Sequence, residues 1–226
     1  MVIRAVIFDF DGVIISSLEL QRQALLQSYA EVVGEGAPSF DIFISHAGDS
    51  LENIFRAMHL PQEMCQAYRR ISRERLDQVE LIPGSAELLH ELKESGVLVG
   101  LCTGKDRVRT LELLQYLNII QYFDCVLCSD DVAHPKPHPE SLLACLHTLK
   151  VASHEALFIG DSANDLVCAA SAEVDSIAVL WGETKQEVLL RENPKFIVSQ
   201  VAQLRDLLIQ QLGALNNRDT TSVSYR

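Results

Sequence analysis

The chain is predicted to form an α/β fold, a doubly wound parallel sheet with a helical cap inserted after the first strand, and three observations predict it. The stretch Val6 to Val13 opens as an apolar, β-branched run that reads as a fully buried strand, and it ends in two carboxylates, Asp9 and Asp11. From residue 83 onward, short apolar runs alternate with segments of helical period, the pattern of βαβ units. Between these two regions lies a block with helical signals only.

In chain order, residues 17–33 read as a helix, with Leu18, Leu25, Tyr29 and Val32 at helical spacing and Gly34 as the stop. A loop with Gly36 and Pro38 follows. Asp49 or Ser50 caps a short helix running to Met58, and Pro61 opens another reaching about Val79. The chain returns to the sheet near Ile82-Pro83-Gly84. The series then expected is helix 85–95, strand 97–103, helix 106–117, strand 124–128, helix 139–149, strand 156–160, helix 164–172, strand 176–180, helix 184–191, strand 195–198 and helix 200–212. This assigns residues 1–15 and 83–213 to the α/β core and 16–82 to the cap. Residues 214–226, polar and aperiodic, read as a disordered tail.

A length of 226 residues suits one domain with an insert. The formal charge of −12 argues against nucleic acid and anionic membrane as partners. No apolar stretch approaches the roughly 18 residues that read as a membrane span, and no signal segment precedes the first strand. The expectation is a cytoplasmic protein, monomer or homodimer. Six scattered cysteines, mostly within apolar runs, read as reduced buried thiols. Cys125 and Cys128 with His134 and His138 superficially suggest zinc, but residues three apart on a strand point to opposite faces and do not readily chelate one ion.

The chemistry gathers at strand ends. In an open α/β sheet the crevice beyond the carboxyl ends of the strands is where ligands bind, and buried acids there call for a cation or a reaction. Asp9 is placed to attack phosphorus and carry the group as an acyl phosphate, and Asp11 to give a proton to the leaving oxygen and take one from water. Mg²⁺ suits such oxygen donors. Three further strand ends add what this chemistry lacks. Thr103-Gly104 offers a hydroxyl and a backbone N–H at a helix start, and Lys136 between Pro135 and Pro137 brings a point charge. The segment Gly160 to Asp165 brings more carboxylates. The plainer alternatives are an acidic turn, Thr103 and Asn164 as helix caps, a solvated lysine, and Asp165 as a first-turn acid.

Asp9-x-Asp11-Gly12, Thr103-Gly104, Lys136-Pro137 and Gly160-Asp161-x-x-x-Asp165 resemble, in order and spacing, the four motifs of the haloacid dehalogenase-like hydrolase superfamily. The resemblance covers residues 1 to about 212 and is nearest to the phosphoglycolate phosphatase and β-phosphoglucomutase branch. Tyr29 to Gly34 and Leu180 to Thr184 resemble, less specifically, phosphatases associated with amino-hydroxybenzoate synthesis. The resemblance implies a small phosphorylated metabolite as substrate. It implies Asp9, Asp11, Asp161 and Asp165 as metal-site residues, Asp11 through its backbone carbonyl, and Gly12, Thr103, Gly104 and Lys136 around the phosphate. His46 and Asp49, with Arg22 and Arg56, are the candidate cap contacts.

This chain departs from the family at Ser16, where many members have Asp, at Asp49, where Arg is frequent, and at Glu173, where Gly is common. Asp49 would favour a cationic feature such as the ammonium of an amino sugar phosphate. Rival readings are a phosphomutase, a haloacid dehalogenase, which usually lacks a second Asp like Asp11, and a silent binding relative.

Overall fold

The computed structural model describes residues 3–213, so the expected tail lies outside the described residues. The chain runs β1 (Ala5–Phe8), β2 (Ile15–Ser16), α1 (Leu18–Val32), α2 (Phe40–Ser45), α3 (Leu51–Ala57), α4 (Met64–Glu74) and β3 (Glu80–Leu81). It continues α5 (Ser85–Glu94), β4 (Leu98–Cys102), α6 (Arg107–Tyr116), β5 (Cys125–Leu127), α7 (Glu140–Leu149), β6 (Ala156–Gly160) and α8 (Ala163–Ser171). It ends with β7 (Asp175–Val179), α9 (Gln186–Arg191), β8 (Phe196–Val198) and α10 (Val201–Gly213).

Six strands form one parallel sheet in the order β5-β4-β1-β6-β7-β8. The chain builds outward from β1 through β4 to β5, then crosses to β6 on the other side, so β1 lies at the topological switch point where α/β sheets bind ligands. Side chains along β1 alternate between two cores. Val6 and Phe8 join Leu101, Ile159 and the α5, α6 and α10 leucines Leu89, Leu114 and Leu208, while Ala5 and Ile7 join Phe158, Leu142 and Cys168 under α7 and α8. Burial on both faces is why the central strands β1, β4 and β6 read as nearly unbroken apolar runs.

The block between β2 and β3 is helical and has its own core of Leu25, Phe43, Phe55, Met64, Tyr68 and Ile71. Two of its features differ from the sequence expectation. The Gly36/Pro38 loop ends in a further helix, α2, with Ser39 as cap accepting from the Ile42 N–H; six residues are too few to show a helical period. The two chain crossings also pair as a small antiparallel ribbon, Ile15 with Leu81 and Ser16 with Glu80.

Candidate active site

The register of the sheet brings the functional residues together. Phe8 lies beside both Leu101 and Ile159, so β1, β4 and β6 end at one level and deliver Asp9, Thr103 and Asp161 to the same crevice. The ladder runs into the site, with the Asp9 N–H donating to the Ile159 carbonyl and the Thr103 N–H to that of Leu127. Gly12 turns the chain with φ of +74°, and a Cβ there, or at Gly182, would fall within the Asp161 carboxylate. The two glycines thus leave the space this carboxylate fills.

Lys136 is the electrostatic centre. Only 1% exposed, its Nζ donates to Asp9 Oδ1 at 2.7 Å, Asp165 Oδ1 at 2.5 Å and the Cys102 carbonyl at 3.1 Å. Burial opposes its charge, but the two aspartates outweigh that and hold its pKa well above the ordinary lysine value. It is a buried charge bridging two acids, far from a solvated loop lysine. Asp165 closes the opposite side. Its Oδ2 accepts from the Ser162 N–H and hydroxyl, a capping box at the start of α8.

Asp9 and Asp11 sit in contrasting environments. Burial, then Asp165, pushes Asp9 up to about 7 despite Lys136. Burial works in the same sense on Asp11, but Lys105 at 3.0 Å and the Ser17 hydroxyl at 2.5 Å bring it below the usual carboxylate value. Two neighbouring acids with opposite shifts are a recurrent basis for dividing acid and base roles. Asp161 is buried with no lysine or arginine partner among the described residues, accepts from the Glu183 N–H at 2.8 Å, and is raised well above the ordinary value by burial and by Asp165 and Asp9. Glu183 is pushed up to about 8 by burial and by Asp11.

Acids thus outnumber the cations that reach them. Asp9, Asp161 and Asp165 offer carboxylate oxygens within 4.8 Å of one another, and burial of unneutralised carboxylates is costly unless a cation joins them. All-oxygen donors of this kind fit a hard divalent ion. A Gly182→Ala protein, whose methyl group competes with Asp161 for space, is expected to lose about 10–100-fold in divalent-cation affinity. Calorimetric titration of the cation checks this, and an unchanged affinity would remove Asp161 from the site.

Several expectations are corrected. Thr103-Gly104 does not start the helix, because Asp106 caps α6 by accepting from the Arg109 N–H; the buried Thr103 hydroxyl instead accepts from the Lys105 N–H within the loop. The expectation for Asp11 at the metal concerns its backbone carbonyl and is untouched by its carboxylate, which is engaged by Lys105 and Ser17. Asp165 belongs to the three-carboxylate group, and its two oxygens also accept from Lys136 and Ser162, the acceptor role weighed as its alternative. Asn164 does not cap α8 but donates to the carbonyls of Ala47 at 2.8 Å and His46 at 3.3 Å, joining the helical insertion to the core.

The insertion closes over the crevice and leaves a cavity of about 60 Å³ lined by both parts. Asp49 lines it, though its Oδ1 is held locally by the Ser50 N–H and the Asn53 amide. His46, the C-cap of α2, is absent from the lining; Arg22 lies over the Phe40 ring and Arg56 is exposed and bonded to Asn53. In their place stand Lys105, Arg109, Gln21, Tyr68 and Glu183. Gln21 donates to Glu183 at 3.2 Å, and Arg109 pairs with Asp106, which Arg69 of α4 also reaches at 2.9 Å. Glu183 lies in the loop after β7, four residues past Val179, whereas Asp161 directly follows β6. The signal for Lys105 was its place two residues beyond Thr103.

The family profile for haloacid dehalogenase-like hydrolases matches residues 6–179, and the chain belongs to that family. It is an enzyme of the hydrolase class. A protein named pyrophosphatase PpaX from Bacillus mycoides (strain KBAB4) is 31% identical over 212 residues, 92% of this chain and 98% of the relative. A haloacid dehalogenase-like family hydrolase from Streptococcus pneumoniae superposes with a TM-score of 0.79 at 26% identity, over 91% of this chain and 98% of the other. CbbY from Rhodobacter sphaeroides, solved in complex with phosphate, shares the fold with a TM-score of 0.77 at 22% identity, over 89% and 96% of the two chains.

Proposed function

We propose that this protein is a Mg²⁺-dependent phosphatase acting on a small phosphorylated metabolite through an aspartyl phosphate on Asp9. The observation that carries the reading is the pairing of Asp9, fixed by Lys136, with Asp11, held apart by Lys105 and Ser17. Because Lys136 takes Asp9 Oδ1, the nucleophile is Oδ2. It forms a bond to phosphorus as the bond to the leaving oxygen breaks, and Asp11 gives that oxygen its proton. Water then attacks phosphorus, passes a proton to Asp11 and frees Asp9 as phosphate departs. Lys105 keeps Asp11 ionised at rest, the state that accepts a proton from water; an incoming phosphate dianion shares Lys105 and raises the affinity of Asp11 for the proton it must first donate.

Thr103, Gly104 and Lys136 are the groups we assign to the transferring oxygens, and Asp9 and Asp161, with Asp165 beside them, to the ion. When bound, Mg²⁺ supplies positive charge that spreads the phosphoryl charge. The helical insertion, residues 16–82, acts as the cap that excludes water and selects the leaving group.

A cavity of about 60 Å³ between the insertion and the core supports a compact substrate, since sites for larger ligands typically run to about 300–1,000 Å³. Lys105 and Arg109 in its wall favour an anionic leaving group over the ammonium suggested by Asp49 alone. This supports inorganic pyrophosphate as a second reading, together with the name of the Bacillus relative. A cytoplasmic setting belongs to the same proposal and is supported by the six buried free cysteines. Among the described residues no helix is long and apolar enough to cross a membrane.

The test is phosphate release from phosphoglycolate, hexose and amino sugar phosphates, nucleotides and pyrophosphate, with Mg²⁺ or with EDTA. The expected result is Mg²⁺-dependent release, fastest with the compact anionic compounds. Release from none of them would sink the phosphatase reading, and preference for an amino sugar phosphate would restore the role first given to Asp49.

A further inference from the structure

Outside the active site, two clusters of potential metal ligands stand apart from the carboxylate centre among the described residues. One, Cys128 with Asp130 and Asp131, is already neutralised, because Arg107 forms an ion pair with Asp131 and Cys128 is buried. The other, His134, His138 and Glu140, has no cation of its own. His134 Nδ1 lies 2.8 Å from Glu140 Oε2 and His138 Nδ1 lies 4.0 Å from the same oxygen, with the two imidazole centroids 4.9 Å apart.

We infer that His134, His138 and Glu140 form a surface site for one borderline divalent transition-metal ion of the Zn²⁺ or Co²⁺ type. Two imidazole nitrogens and one carboxylate are the donors such ions take when they keep an open coordination position, and nitrogen donors discriminate against Mg²⁺. The ion takes the place of the contacts that now join His134 Nδ1 to the Glu140 carboxylate and the Glu140 N–H to His138 Nδ1. The scaffold is already in place. Pro135, Pro137 and Pro139 restrict the loop, and Glu140 is fixed by accepting from the Ala133 and His134 N–H groups at 3.1 Å each. The side chains of His134 and His138 are 67% and 54% exposed along the broad groove between α4 and this loop, so an ion reaches them without passing the cap.

The site is separate from the zinc arrangement weighed in the sequence. Cys125 faces Cys145 within the core and Cys128 is buried, whereas the histidines turn outward to a carboxylate that a search for cysteine ligands passes over. Each histidine is two residues from Lys136, so an ion here would brace from outside the loop that carries the buried lysine.

The test uses the full chain, stripped with chelator and then kept in excess Mg²⁺ so that the carboxylate centre is occupied. Co²⁺ is titrated in as an optical probe and Zn²⁺ as its competitor. One Co²⁺ is expected to bind at micromolar concentration, with visible d–d absorption and no thiolate charge-transfer band, and to be displaced by Zn²⁺. His134→Ala and His138→Ala are each expected to weaken binding tenfold or more, while Asp161→Asn leaves it unchanged. Absence of Co²⁺ binding in the wild type overturns the inference. So does binding that survives both histidine substitutions but is lost in Asp161→Asn, or a spectrum showing cysteine ligation. None of these readouts depends on turnover, so the site stands or falls separately from the phosphatase reading.

Discussion

An Asp9→Asn protein is expected to lose about 10⁴-fold or more of its phosphate release, the scale seen when a nucleophile is removed, while keeping its fold. The amide has the shape of the carboxylate and its oxygen can still accept from Lys136, so the lattice of contacts around β1 survives. Stability should change little. The carboxyl it replaces is pushed up to about 7 by burial and by Asp165, so its charge is poorly supported and removing that charge relieves repulsion with Asp165 and Asp161. Phosphate release and thermal melting of the same preparation check both halves. A melting temperature held at or above that of the wild type with activity lost identifies Asp9 as the nucleophile; retained turnover would place the nucleophile elsewhere.

The second large effect falls on stability as well as activity. Lys136→Met removes the cation between two buried acids and leaves them uncompensated, a change that typically costs about 3–5 kcal/mol, or about 6–20 °C in melting temperature for a chain of this size. The pH dependence has a definite sign. The folded-state pKa of Lys136 lies above the ordinary value of 10.5, so its contribution is fully present below that value and is lost only as pH rises through the folded pKa. The deficit of the variant should therefore be largest at alkaline pH below the folded pKa of Lys136 and should narrow as pH falls through about 7, where Asp9 takes up a proton. Added Mg²⁺ should also narrow it, by binding the folded form and supplying the missing charge. A variant that melts with the wild type, with or without Mg²⁺, would show that the buried triad carries no such energy.

The parts of this molecule legible in its sequence share one property: a strand buried on both faces needs an apolar run, and a polar group at its end stands out against that run. Asp9, Thr103 and Asp161 were found in this way, and the sheet register does bring them together. What stayed hidden depends on how separate elements pack. Lys105 and Arg109 enter the cavity only because α6 begins at Arg107 under the insertion, with Asp106 as its cap. Arg22 and Arg56 read as cap contacts, yet which face of α1 or α3 meets the core is decided by the Phe43, Phe55 and Tyr68 cluster, and no local pattern encodes it. The β2–β3 ribbon, two residues on each side, lies below what alternation can reveal.

That ribbon has a consequence for how such a protein can diversify. Because Ile15 and Leu81 are direct partners, the insertion leaves and re-enters the sheet domain at adjacent points, with its ends about one strand spacing, roughly 5 Å, apart. Loop-closure entropy grows only slowly with length, so the sheet domain is nearly indifferent to how many residues hang from that gate. The reacting groups are held by β1, β4, β6 and the Lys136 loop, none of which passes through it. Apart from Ser17, which holds Asp11, selection can thus replace, lengthen or shrink much of what lies between residues 18 and 80 without renegotiating the chemistry beneath.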